Sequence, residues 1–138
     1  MTPHRFSVRI YYEDTDFSGN VYHAAYLKFF ERARTEFLRE QGIHHSELAE
    51  QGIAFAVRSM ELEFIAPARI DDMLDVLTEV VSASGARLVL KQTIVREQTT
   101  LTTAQLTVAA IKTSGGPARL PLALRALGDG QRQQSASL

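Results

Sequence analysis

Apolar and polar residues alternate from the start of the chain: Phe6, Val8, Ile10 and Tyr12 are interleaved with Arg5, Ser7, Arg9 and Tyr11. A period of two predicts a half-buried strand. From about Ala24 to Gln41 the period lengthens. Tyr26, Phe30, Ala33 and Phe37 recur at helical spacing, Leu27 and Leu38 widen the stripe, and Gly42 supplies a C-terminal stop. A short second helix is predicted between His45 and Gln51, closed by Gly52. Strands follow. Met60, Leu62 and Phe64 alternate with Ser59, Glu61 and Glu63 until Pro67; Leu74, Val76, Thr78 and Val80 form the next, before a turn at Ser82-Ala83-Ser84-Gly85. Leu88 to Val95 and Leu101 to Lys112 make two more, bent at Thr99-Thr100, and Ser114-Gly115-Gly116-Pro117 breaks the last. From Gly128 onward no apolar period remains, which predicts a disordered tail after one domain spanning residues 1–127.

Four consecutive strands on short turns must be largely antiparallel. A single long helix can cover only one face of such a sheet. The expected fold is therefore α+β, a curved antiparallel sheet of about five strands wrapped around one central helix. Open edges and an uncovered face favour a homo-oligomer, a dimer or a dimer of dimers.

Composition narrows the function classes. The 138 residues suit one domain, and 45% hydrophobic with 22% charged content is ordinary for a globular chain. A net charge of −1 carries no global basic footprint for nucleic acid. With no cysteine, disulfides, thiolate chemistry and Cys-ligated metals are excluded. His4, His23, His44 and His45 are too scattered for a convincing metal site. Neither a Gly-x-Gly-x-x-Gly nor a Walker-type loop is present, so no nucleotide, flavin or metal cofactor is expected. No secretory signal and no membrane span is legible, and the cytoplasm is the expected compartment.

The candidate chemistry sits where the first strand gives way to the long helix, in Glu13-Asp14-Thr15-Asp16-Phe17-Ser18-Gly19-Asn20-Val21-Tyr22-His23. Carboxylates offer a nucleophile or base. Glycine permits close backbone approach, and the following helix presents unpaired N–H groups with a positive dipole end. Each residue also has a plainer reading: Asp16 as a turn or N-cap acid, His23 as a helix-start residue, Glu13 and Asp14 as a solvated or turn-stabilising pair. Tyr22 could be core or pocket lining, and Glu31 a surface ion-pairing residue near Arg34. Arg58 and Ser59 could line a ligand channel.

The stretch Arg9-Ile10, then Thr15-Asp16, Gly19, Val21, His23 and Tyr26, resembles the signature of the hotdog-fold acyl-CoA thioesterases. It is most similar to the 4-hydroxybenzoyl-CoA thioesterase-like group and, within it, to the branch associated with the Tol-Pal system. Asn20 departs from the signature, which prefers Ile or Val there. The resemblance continues through Phe29 to Glu36 and Ala66 to Leu74. It implies acyl-CoA hydrolysis without a cofactor, with Asp16 as the catalytic nucleophile or general base. His23 would stand at the oxyanion site, with Gly19 and Tyr22 on the substrate. It also implies that acyl carrier protein could present the acyl group in place of CoA. Two other readings stay open: a hotdog hydratase-dehydratase acting on CoA or carrier-protein thioesters, and a non-catalytic acyl-ligand binding adaptor.

Overall fold

The computed structural model describes residues 2–128. Strand β1 (His4–Arg9) leads through a 3-10 turn (Tyr12–Asp14) to helix α1 (His23–Glu40) and the short helix α2 (His45–Glu50). Strands β2 (Ile53–Phe64), β3 (Met73–Ser84), β4 (Arg87–Arg96) and β5 (Thr99–Lys112) follow. The five strands form one antiparallel sheet in the order β1-β3-β4-β5-β2. Two-residue connections at Gly85-Ala86 and Glu97-Gln98 make β3-β4 and β4-β5 tight hairpins. β1 returns antiparallel to β3, with Phe6 opposite Val76 and Val8 opposite Leu74. The α+β hotdog arrangement expected from the residue pattern is present.

The described residues group into two compact units. The first comprises residues 2–37, Leu62–Glu79 and Gln92–Ala104. Its core is the α1 face of Ala25, Tyr26, Phe29, Phe30 and Ala33 packed with Ile10, Val21, Leu74, Val76, Ile94 and Leu101. Burial of this apolar stripe, more than intrinsic propensity, is what holds an 18-residue helix in place. The second unit comprises Leu38–Glu61, Val80–Lys91 and residues 105–128. It buries Leu48, Leu88, Leu90, Leu106, Leu120 and Leu124. Within it, α1 ends as predicted at Gly42, whose φ of +78° lets the Ile43 N–H return to the Leu38 carbonyl at 2.9 Å.

Several boundaries differ from the sequence expectation. On α1, Phe29 is fully buried while Leu27 is 43% exposed, so the apolar stripe is rotated away from Leu27. β2 begins at Ile53, because the run Ile53-Ala54-Phe55-Ala56-Val57 joins the sheet although it does not alternate. β3 runs to Ser84, which moves its turn to Gly85-Ala86. The bend before β5 falls at Glu97-Gln98 and not at Thr99-Thr100: both threonines enter the ladder, and Glu97 takes a left-handed φ of +56°. Residues 122–128 form a further helix, α3, absent from the sequence reading. Gly128, expected to open the tail, is instead buried in this helix, so close to Ala83 that a Cβ would lie 2.3 Å from that residue's carbonyl oxygen. The tail beyond Gly128 lies outside the described residues.

Candidate active site

The acidic segment belongs wholly to the first unit, and its backbone is fixed before any side chain is considered. Asp14 is buried and stabilises its turn: its Oδ2 accepts the Tyr11 N–H at 2.9 Å, and its carbonyl accepts the Tyr22 N–H at 3.2 Å. It is a turn-stabilising residue, as expected, but not a solvated one. Glu13 is exposed. Thr15 pairs with Val21, closing a loop in which the Asp16 N–H donates to the Asn20 carbonyl at 2.9 Å. The Gly19 N–H donates to the Asp16 carbonyl at 3.1 Å, and Gly19 adopts a φ of +84° that side-chain-bearing residues seldom reach. The loop is tied to the segment after β2 by Val21 N–H to Ala68 O (2.8 Å) and Ile70 N–H to Gly19 O (3.1 Å).

This scaffold presents a cavity of about 330 Å³ lined by Asp16, Asn20, Val21, Tyr22, His23, Tyr26 and the run Phe64-Ile65-Ala66-Pro67. Of the residues singled out in the sequence, Asp16, Tyr22 and His23 stand together on its wall. Gly19 does not. Its place is the turn beneath, and because nothing lies within 4 Å of a Cβ built there, its constraint is backbone conformation and not crowding. Glu31 is exposed on α1 and away from the cavity.

The Asp16 side chain is exposed, and its Oδ1 accepts both the amide (2.8 Å) and the hydroxyl of Ser18. The Ser18 hydroxyl, then the Ser18 amide, hold the carboxyl below its usual range. Oδ2 accepts no hydrogen bond among the described residues. No hydrogen bond joins Asp16 to His23. The His23 ring packs on Phe64 with centroids 4.7 Å apart, and Phe64 meets the Tyr26 ring at 5.5 Å. Tyr26 is buried, its hydroxyl accepts the Ala68 N–H at 3.0 Å, and burial raises its pKa. The aromatic wall therefore reaches from the helix start to the exit of β2.

Helix α1 offers fewer free amides than its sequence implies. The Tyr22 N–H is taken by Asp14 and the Ala25 N–H by the Tyr22 carbonyl at 3.0 Å. The amides of His23 and Ala24 are left without a partner among the described residues, so the oxyanion donors narrow to these two. Sequence reasoning missed Ser18 and Phe64. Ser18 had a signal, since a serine two residues after an aspartate commonly bonds back to it; the pairing of Phe64 with His23 depends on tertiary structure.

His44 and His45 are remote in role from this cavity: they precede and open α2, where the His45 ring packs edge-on against Phe55. Among the described residues no group of three or more His, Asp or Glu side chains is arranged to hold a metal ion. No helix among them is long and apolar enough to cross a membrane. Arg58 lines a separate cavity of about 510 Å³ in the second unit, with Arg87, Lys112 and the Gly115-Gly116 turn.

Comparison with known proteins gives these features a family. Residues 10–127 match the thioesterase-like superfamily. The acyl-CoA thioester hydrolase YbgC of Escherichia coli is 52% identical over 97 residues, covering 70% of this chain and 72% of that one. The acyl-CoA thioesterase YbgC of Haemophilus influenzae is 45% identical over 107 residues, 77% of this chain and 79% of the other. Among solved structures, a probable thioesterase from Bartonella henselae superposes with a TM-score of 0.82 at 45% identity, covering 86% of this chain and 99% of its own. A Staphylococcus aureus protein solved in complex with CoA shares the fold alone, with a TM-score of 0.85, 15% identity and coverage of 96% and 87%. With the carboxylate, the free helix-start amides and this match over most of its length, the chain belongs to the thioesterase-like superfamily and is a thioesterase of the hotdog fold.

Proposed function

We propose that the protein hydrolyses acyl-CoA thioesters at the cavity beside Asp16. The observation that carries this reading is the grouping of an ionised, half-engaged carboxylate with the start of α1 on one small cavity, where His23 lines the wall and the amides of His23 and the adjoining Ala24 are unbonded among the described residues. Thioester hydrolysis asks for those two functions: a nucleophile or base, and donors for the oxyanion that forms as the carbonyl is attacked. The names of the YbgC relatives and the CoA complex of the Staphylococcus aureus protein favour CoA as the thiol carrier.

Two balanced routes use the same atoms. In one, Asp16 Oδ2 bonds to the carbonyl carbon and the C–S bond breaks. The thiolate leaves with the electron pair, and water then hydrolyses the mixed anhydride. In the other, Oδ2 takes a proton from water as its oxygen bonds to the carbon, and that proton ends on the departing sulfur. In both, the His23 and Ala24 amides receive the developing negative charge, assisted by the positive end of α1. His23 orients the water or donates to the leaving sulfur. Tyr22 and the Phe64-Tyr26 wall enclose the acyl group.

A panel of acyl-CoA substrates of varied chain length, followed by release of free thiol, tests the assignment. Turnover with at least one acyl-CoA is expected, together with no hydration of crotonyl-CoA. Hydration without thiol release overturns it in favour of a lyase. Binding without either reaction overturns it in favour of an acyl-ligand adaptor.

A further inference from the structure

The two oxygens of the Asp16 carboxylate are not equivalent. Oδ1 accepts the Ser18 N–H and the Ser18 hydroxyl, whereas Oδ2 accepts nothing among the described residues. The Asp16 backbone is held on both sides, by Asn20 through its N–H and by Gly19 through its carbonyl, so the side chain alone retains freedom to rotate. An exposed carboxylate with no tether would exchange its oxygens and swing between solvent and cavity. Reaction geometry is steep in such displacements, since a reacting atom misplaced by about 1 Å loses of the order of 100-fold in rate.

We propose that Ser18 is a positioning residue, holding Oδ1 of Asp16 with its amide and hydroxyl so that Oδ2 is the oxygen that reacts. The proposal rests on Asp16 being the reacting carboxylate. Ser18 lies outside the residues that line the cavity, so its hydroxyl acts through Asp16 and not on the substrate. The same two bonds stabilise the anion, which keeps the carboxyl charged further into acid than a free aspartate. Tyr22, His23 and Tyr26 are the other titratable groups on the cavity, and Arg69 lies on the segment bridged to Asn20. The carboxyl is nevertheless moved mainly by the Ser18 hydroxyl and then the Ser18 amide. A smaller desolvation opposes them, and the Asn20 and Asp16 backbones come last.

The full-length protein and its Ser18→Ala and Ser18→Thr variants test this. Each is titrated by carbon-13 NMR on labelled aspartate, beside the pH profile of kcat and KM for thiol release. Dispersed amide resonances verify the fold at every pH. In Ser18→Ala the Asp16 midpoint moves up, the acid limb of kcat moves up with it, and kcat at neutral pH falls roughly fivefold with KM little changed. Ser18→Thr, which restores the hydroxyl, returns all three. An unmoved Asp16 midpoint in Ser18→Ala overturns the role of Ser18, whatever happens to activity. A midpoint that rises while the acid limb stays in place overturns Asp16 as the reacting group, and leaves the Ser18 tether itself established.

Discussion

Asp16 combines an exposed side chain with a lowered pKa, and that combination fixes the direction of its pH dependence. A carboxyl whose pKa lies below the ordinary value is ionised above it and loses its charge only as the pH falls through it. Activity that needs the anion is therefore full at neutral pH and fails only in acid, on a limb below that of a free aspartate. Asp16→Asn keeps the side-chain shape and its acceptor oxygen toward Ser18 but removes the charge. A fall in kcat of at least about 100-fold is expected, with the fold intact by circular dichroism. Retention of more than about a tenth of wild-type turnover would remove Asp16 from the mechanism. His23 has no hydrogen bond to Asp16, so the two do not form a relay pair. His23→Ala takes away the ring stacked on Phe64 and leaves its own amide and that of Ala24 in place. Its kcat should fall less than that of Asp16→Asn, and the double variant should show the two losses nearly multiplied. Equal and non-additive losses would mean that the residues act as one unit.

At the scale of elements, one buried polar cluster ties helix to sheet. Gln92 on β4 is fully buried: its Nε2 donates to the Phe30 carbonyl of α1 (3.1 Å) and the Thr78 hydroxyl of β3 (3.0 Å), and its Oε1 accepts from Arg34 Nη1 at 3.1 Å. Burial pushes the Arg34 pKa down, and the nearby charge of Glu31 opposes that shift. Gln92→Leu fills similar space but strips Arg34 and Thr78 of their partner. A loss of about 1–3 kcal/mol in urea unfolding is expected, because desolvated polar groups are then left unpaired. Unchanged stability would show that water or rotamer changes satisfy the cluster. In the sequence Gln92 shares a strand face with Leu88, Leu90 and Ile94, a polar residue in a core register, but its partners on α1 and β3 are set only by the fold. Alternation did place β1 and β3: β3 buries Leu74, Val76, Thr78 and Val80 at every second position, and β1 alternates half-buried with exposed residues. It failed for the first half of β2, whose small and apolar residues carry no period, and for α3, whose run Leu122-Ala123-Leu124-Arg125-Ala126-Leu127 is too short and too uniformly apolar to show one; Leu124 and Gly128 are buried in the second unit. The acidic turn was legible because its chemistry is local in sequence. The wall opposite it, from Phe64 to Pro67, reaches Asp16 only through the fold.

For the molecule as a whole, the strand order leaves β1 and β2 at the two edges of the sheet. β1 is short and alternates exposed Arg5, Ser7 and Arg9 with half-buried residues, features that blunt an edge. β2 is different. It runs for 12 residues, and Val57 and Phe64 on it are 47% and 44% exposed. A long edge with exposed apolar residues and unpaired backbone groups is a template for pairing, and antiparallel pairing of two identical strands satisfies both at once about a twofold axis. Exposed Phe17 and Ile65 lie in the same unit as the cavity and would gain cover from a second copy. The expected species is accordingly a homodimer or a dimer of dimers, with β2 at the contact. Light scattering at micromolar concentration should give a mass at least twice 15.4 kDa. Val57→Lys, which places a charge on the edge, should shift the population toward monomer without unfolding it. A wild-type monomer with full activity would refute the association and confine the whole reaction to one chain.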